Sequence, residues 1–227
     1  MLPLLWGFPT LRYVSGMDEQ HQMAAPPATG QPIYLLAAHD NWRESRVNRR
    51  LLERARANPA VQVCDLYGSY PDYAIDVPAE QAKLLGARLL VLMHPIHWYS
   101  MPALQKLWLD EVLTFGWAYG SHKHLQGKDL WLVASTGGAQ DSYQPQGYNR
   151  YPFDAFLPPY EQTAALCGMR FLPPLILHGA HRASQDQVAG HVEAFAQLLQ
   201  SYPNWPDLAA LGTMTPCEVP ESERTKS

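Results

Sequence analysis

Cysteine is scarce: 227 residues contain only Cys64, Cys167 and Cys217. They are too few and too scattered for a disulfide framework or a zinc site, so no metal is expected and a reducing, cytoplasmic setting is. Charge is also sparse, at 17% of residues with a net charge of −4, which excludes the basic footprint that nucleic-acid binding needs. No apolar run reaches the ~18 residues of a transmembrane helix. The chain has no GxGxxG after its first apolar strand, no phosphate-binding GxxxxGK motif and no GxSxG elbow. No cysteine has an evident activating neighbour. Internal repeats and low-complexity blocks are absent too.

What remains is hydrophobic and ordered in pattern. Hydrophobic residues make up 47% of the chain, enough for one α/β domain with a sizeable core. Residues 1–30 read as a flexible extension outside the fold. They open apolar, without a charged leader or a cleavage site, and Met17 or Met23 could each be the true start. Residues 31–204 read as the folded domain, and 205–227 as a loosely held polar tail.

Within the domain, strands and helices alternate. Strands are expected at Pro32–Ala38, Val61–Leu66, Ala87–Met93, Asp129–Ser135 and Phe171–His178. Helices are expected at Ser45–Ala57, with Ser45 as cap, and at Pro78–Gly86, Pro102–Phe115, Phe156–Cys167 and Ser184–Ser201. Near-continuous apolar strands, each followed by a helix, imply a parallel sheet covered on both faces. The loop of about twenty residues after the fourth strand is long enough to expect a function for it.

Three loops at strand carboxyl ends carry the candidate chemistry. The turn from His39 to Asn48 leads into a helix, whose free N–H groups and dipole favour a phosphate. Ser45 and Asn48 can add hydrogen bonds, and His39 or Arg46 can offset charge. Taken alone, a capped surface helix explains this turn at least as well. The run His94–Asp110 follows the third strand. The backbone of Ile96, His97, Trp98 and Tyr99 could face the polar edge of a planar ring, with Trp98 packed against its surroundings; a hydrophobic staple or subunit contact is the plain alternative. Thr136, Gly137, Gly138 and Ala139 follow the fourth strand, where glycines permit close approach of a ligand or simply a tight turn. In an open α/β sheet such loops converge on one crevice, and a flavin is the leading candidate for it. His122, His124, His178 and His181 lack partners for metal binding and read as structural or surface residues.

The chain resembles the flavodoxin-like NAD(P)H:quinone oxidoreductases, and within them the ancillary proteins of the glutathione-gated potassium-efflux systems of bacteria. The resemblance runs from about Ile33 to Tyr202. It rests on AHD with Ser45 and Asn48, DLYGSYPDYAIDVPAEQ at 65–81, HPIHWYSMPALQKLWLD at 94–110, FGWAYG at 115–120, LQGKDL at 125–130 and STGG at 135–138. It implies a flavodoxin-like three-layer α/β/α sandwich with a twisted five-stranded parallel sheet, a homodimer, and bound FMN, with FAD the alternative. Phosphate and ribityl contacts are implied at His39, Ser45 and Asn48, and ring contacts at Ile96–Tyr99 and Thr136–Ala139. In larger members a Tyr and a His in the following loop border the catalytic pocket. Tyr143 matches the Tyr. Asn149 stands in place of the His, and Asn can donate a hydrogen bond but carries no proton charge. Asp40 likewise replaces the usual Pro.

The expected activity is two-electron transfer from NAD(P)H through the flavin to a quinone-like small molecule. A different class of role is regulatory: docking onto the cytosolic domain of a potassium-efflux antiporter, which would place the protein peripherally at the inner membrane. The apolar breadth of Leu104, Leu107, Trp108, Leu109 and Leu113 exceeds one core-facing stripe, which suggests a dimer seam or a partner surface. A flavin-free, nucleotide-processing relative is the third reading, and the colour of the pure protein discriminates it.

Overall fold

The computed structural model describes residues 32–205 and 208. The expected extension 1–30, Met17 and Met23, Cys217 and most of the expected tail lie outside the described residues. Four parallel strands are continuous: β1 (Ile33–Ala37), β2 (Val61–Asp65), β3 (Leu89–Pro95) and β4 (Asp129–Ser135). The order across the sheet is β2-β1-β3-β4. A fifth position, beside β4, is filled by two short parallel pieces, β5 (Arg170–Phe171) and β6 (Leu175–Leu177). The sequence suggested one strand over 171–178. Pro173-Pro174 breaks it, because neither residue has an N–H for the ladder and both have φ fixed.

Alternation along the strands sends side chains into two separate cores. Ile33, Leu35, Val91, Met93, Trp131 and Val133 face α1 (Asn48–Arg56) and α6 (Gln185–Ser201). Tyr34, Leu36, Leu92, Leu130 and Leu132 face α3 (Val77–Gly86), α4 (Ala103–Val112) and α5 (Pro158–Leu166), with a single turn α2 (Leu66–Ser69) after β2. The result is three layers, and every residue of β1 and β4 is buried. Trp205 and Leu208 pack into the first of these cores, so packing reaches into the segment expected as a polar tail.

Local chemistry sets the helix ends. Asp76 accepts the Ala79 N–H at 3.1 Å, and Pro78 sits in the first turn of α3, as its sequence suggests. Ser184 and Gln187 form a reciprocal capping box on α6. Helix α1 begins at Asn48, three residues later than expected. Turns close from Asn41 to Glu44 and from Trp42 to Ser45, which holds the chain out of helical geometry. Ser45 still caps it from a distance, its Oγ accepting the Arg49 N–H at 3.2 Å.

One buried ionic cluster crosses the layers. Glu80, on α3, is fully buried and accepts from Tyr70 Oη at 2.7 Å, Trp108 Nε1 at 2.8 Å, Lys83 Nζ at 2.6 Å, and also from Tyr34 Oη. Burial pushes its carboxyl upward, but the hydrogen bonds led by Lys83 more than reverse this and hold it below the usual value. The cluster fixes α4 to β1 and α3 through Trp108. The apolar breadth of α4 is mostly absorbed in the same way: Leu104, Trp108, Leu109 and Leu113 are buried within this fold and Leu107 is half-buried.

Candidate functional site

Strand order reverses between β1 and β3, since β1 leads outward to β2 on one side and β3 leads to β4 on the other. Ligands of open α/β sheets sit outside the carboxyl ends of strands at such a point. A crevice of about 290 Å³ opens there. Its walls are His39 and Glu44–Asn48 after β1, Pro95–His97 after β3, Ser135–Gly137 after β4, and Ala180 and His181 before α6. The fold thus gathers His39, Ser45, Asn48, Ile96, His97, Thr136 and Gly137 around one space. Trp98, Tyr99, Gly138, Ala139, Tyr143 and Asn149 lie outside that lining.

The polar groups of the crevice suit an anionic, hydroxyl-bearing ligand. The Asn41 N–H donates to His39 Nδ1 at 3.0 Å, so the neutral imidazole carries its proton on Nε2. Burial lowers the His39 pKa, Asp40 at 3.5 Å opposes this, and His97 adds to it. Asn48 donates to Ser135 Oγ at 3.0 Å, while its buried Oδ1 has no protein partner. An orphaned buried acceptor on a crevice wall is costly unless a ligand or water donates to it. Arg46 donates to the carbonyls of His181 at 3.0 Å and Ala183 at 3.2 Å, joining the β1 loop to the entry of α6. The His39 Nε2–H and the orphaned Asn48 acceptor fit the phosphate and ribityl chain of a flavin mononucleotide.

The β3 loop differs from its sequence reading in two ways. Its amides were expected to face the ligand from Ile96 to Tyr99. The Ile96 N–H is instead committed to Ser135 O at 2.8 Å, and His97 exchanges two bonds with Ser100, both 3.0 Å. Only the amides of Trp98 and Tyr99 stay outside these pairings. The four residues His97–Ser100 make a tight turn in which Trp98 (φ 47°) and Tyr99 (φ 66°) are both left-handed. Such a turn ordinarily takes Asn-Gly, and bulky side chains there are strained. Trp98 was also expected to pack against its surroundings, yet it is 93% exposed. The turn points it outward, while Tyr99 stacks on Phe156 at 5.2 Å.

Beside the crevice stands an aromatic wall. Tyr143 contacts Phe153 edge-on at 5.3 Å and His178 at 5.3 Å, and His178 meets Phe153 at 5.0 Å. Burial raises the Tyr143 pKa, so the phenol keeps its proton. Asn149 donates to Ser142 Oγ at 2.9 Å, bracing the loop. Gly138 serves that loop: a Cβ there would lie 2.6 Å from Tyr148 Oη and 2.8 Å from Ser142 Oγ. Of the histidines read as structural, His181 lines the crevice and His178 joins the wall. Sequence reasoning also passed over Phe153 and Phe156. The density of aromatics between Tyr143 and Phe156 was the available signal. Among the described residues no cluster of His, Cys, Asp or Glu could hold a metal, and no helix is long and apolar enough to cross a membrane.

Fold and crevice together define a flavodoxin-like α/β protein. The chain belongs to the family of that fold, whose model matches residues 31–199. It is 42% identical over 180 residues to the glutathione-regulated potassium-efflux system ancillary protein KefG of Yersinia enterocolitica, covering 79% of this chain and 96% of that one. General stress protein 14 of Treponema denticola, solved in complex with FMN, aligns with a TM-score of 0.71 at 34% identity, covering 74% of this chain and 98% of that one. An NADPH-quinone reductase from P. pentosaceus aligns with a TM-score of 0.67 at 27% identity, covering 73% and 95%.

Proposed function

We propose that the protein is an FMN-dependent NAD(P)H:quinone oxidoreductase. The carrying observation is the crevice at the strand-order reversal, where His39, Ser45, Asn48 and Thr136 converge beside an aromatic wall. His39 Nε2–H, Ser45 and the first turn of α1 hold the phosphate, and Asn48 Oδ1 accepts from a ribityl hydroxyl. The amides of Trp98, Tyr99 and Gly137–Ala139 meet the polar edge of the ring. Bound there, the flavin supplies two-electron transfer between NAD(P)H and a quinone. Tyr99, Tyr143 and Phe153 wall the space in which donor and acceptor take turns, and Tyr143 donates a hydrogen bond to the acceptor oxygen. Asn149 orders the loop by its bond to Ser142. Exposed Trp98 supports a homodimer in which a second copy covers that side.

Flavin extraction from the purified protein, with NAD(P)H oxidation measured on the same sample, tests this reading. FMN at one per chain and quinone-dependent oxidation are expected. A colourless protein that takes up neither FMN nor FAD refutes it. For Tyr143→Phe, slower turnover with unchanged flavin content is expected, and equal turnover would remove Tyr143 from the chemistry.

The likeness to KefG over 96% of that protein favours a second role, which can coexist with the first. In it the chain is a cytoplasmic ancillary subunit that docks on the cytosolic domain of a potassium-efflux antiporter, peripheral to the inner membrane. Co-purification of the tagged chain with such an antiporter tests it, and clean separation of the two argues against it.

A further inference from the structure

Strand β3 outruns β1 at the crevice. Its pairing with β1 ends at Ala37 and Met93, where the Ala38 N–H donates to Met93 O at 2.9 Å, while its pairing with β4 continues to Pro95 and Ser135. Carbonyls two residues apart on a strand share a side, so that of Pro95 points where β1 has already left. Pro95 lines the crevice. Its carbonyl takes a side-chain donor instead of a strand: His94 Nδ1 lies 3.0 Å from Pro95 O. A carbonyl only accepts, so Nδ1 carries the proton. His94 is fully buried, and burial lowers its pKa to about 4, so the ring is neutral and Nε2 is bare. Nε2 accepts from Tyr160 Oη, 3.4 Å away on α5, and the two rings stack at 5.9 Å.

The Ile96 N–H, on the other side of the same peptide group, donates to Ser135 O at 2.8 Å. The Pro95–Ile96 peptide is thus clamped at both its oxygen and its hydrogen. The His97–Ser100 turn follows directly, with Trp98 and Tyr99 left-handed. A strained turn keeps its aim only when the backbone that enters it is held. We propose that His94 is a positioning residue for the flavin: by donating from Nδ1 to the Pro95 carbonyl it fixes the peptide plane that aims the Trp98 and Tyr99 amides at the ring edge. This rests on the flavin-binding reading above. His94 is not part of the crevice lining, so it acts through the backbone and not on the ring.

Two experiments test this. Long-range ¹H–¹⁵N NMR on the full chain should show His94 as the Nδ1–H tautomer; the Nε2–H tautomer would overturn the proposal. The second measures FMN affinity by fluorescence titration of the flavin-stripped full chain. His94→Phe keeps the ring against Tyr160 and removes both nitrogens. His94→Gln places its amide where Nε2 was, and His94→Asn places its amide where Nδ1 was. His94→Phe and His94→Gln should each weaken FMN binding about tenfold, and His94→Asn should recover most of that loss. Any other order, equal losses in all three included, would mean that packing or the Tyr160 bond is the contribution of His94 and would overturn the proposal. If the wild-type chain takes up no FMN, the flavin reading fails, while the tautomer still decides whether the clamp on Pro95 exists.

Discussion

Replacing Glu80 by Gln should destabilise the fold by about 3 kcal/mol, a large share of the stability of a domain this size. Trp108 and Tyr34 donate to one carboxylate oxygen, and Lys83 and Tyr70 to the other. An amide nitrogen facing Trp108 would oppose an indole N–H that has no acceptor to offer. The nitrogen must therefore take the other side, where the Tyr70 hydroxyl can rotate and accept. Lys83, 31% exposed, can withdraw into water. The variant loses the charged Lys83 bond, worth about 1.5–3 kcal/mol, and turns the other three into weaker neutral ones. For a domain of this length the midpoint should fall by about 6–12 °C in thermal unfolding. Glu80→Leu leaves all the remaining donors buried without an acceptor and should cost more than Glu80→Gln. Because the folded carboxyl is held below its unfolded value, this contribution is complete above the unfolded pKa and fades as pH falls through the folded one. Glu80→Gln should therefore flatten the acid limb of the stability curve. A variant that melts within about 1 °C of wild type would refute the idea that this cluster secures α4.

Gln105 is fully buried on α4 with neither amide atom bonded to protein, so Gln105→Leu should raise stability by about 1–2 kcal/mol, read as a higher denaturant midpoint at unchanged slope. A lower midpoint would show that the amide has a partner worth more than the packing gained. Gly138→Ala drives a Cβ into Tyr148 and Ser142, so it should weaken FMN binding about tenfold by isothermal titration, and unchanged affinity would detach this loop from the site. His94 and His191 are buried neutral, each with its pKa lowered to about 4, chiefly by burial. The stability this withholds from the protonated form is complete above the unfolded value near 6.5 and is lost as pH falls from there to about 4. His191→Phe should remove part of that slope in urea titrations, and an unaltered slope would exclude its share.

The strands and most helices were legible because their information is local. Apolar runs at 33–37, 89–93 and 129–135 leave little choice for a chain that must bury them on both faces. Boundaries failed where a tertiary or turn contact overrode the local signal. The α1 start moved because the His39–Val47 loop is closed by its own turns and held by Arg46 to the carbonyls before α6, 135 residues away. The last strand split because two prolines outweigh its apolar pattern. The breadth of α4 looked like a seam for another molecule, and the fold itself consumes most of it.

The site divides along the same line. That His39, Ser45, Asn48, Ile96, His97, Thr136 and Gly137 would line one crevice was legible, because strand ends in an open sheet bring their loops together whatever the intervening sequence. Hydrogen-bond commitment was not legible. Nothing in HPIHWYS says that the Ile96 amide belongs to the β3–β4 ladder, or that His97 and Ser100 close a turn that thrusts Trp98 outward. The surroundings of His178 were not legible for a related reason. Its neighbours in sequence carry no carboxylate, so a scan for partners along the chain finds none. Its partners are Thr136 and Tyr143, some forty residues earlier, delivered by the parallel pairing of β6 with β4. A histidine at the carboxyl end of a strand beside a ligand loop is therefore better judged by the neighbouring strand's loop than by its own sequence. The same holds for the place of His181 on the crevice wall, since Ala180 N–H bonds Thr136 O at 2.8 Å and brings the His181 ring against Gly137.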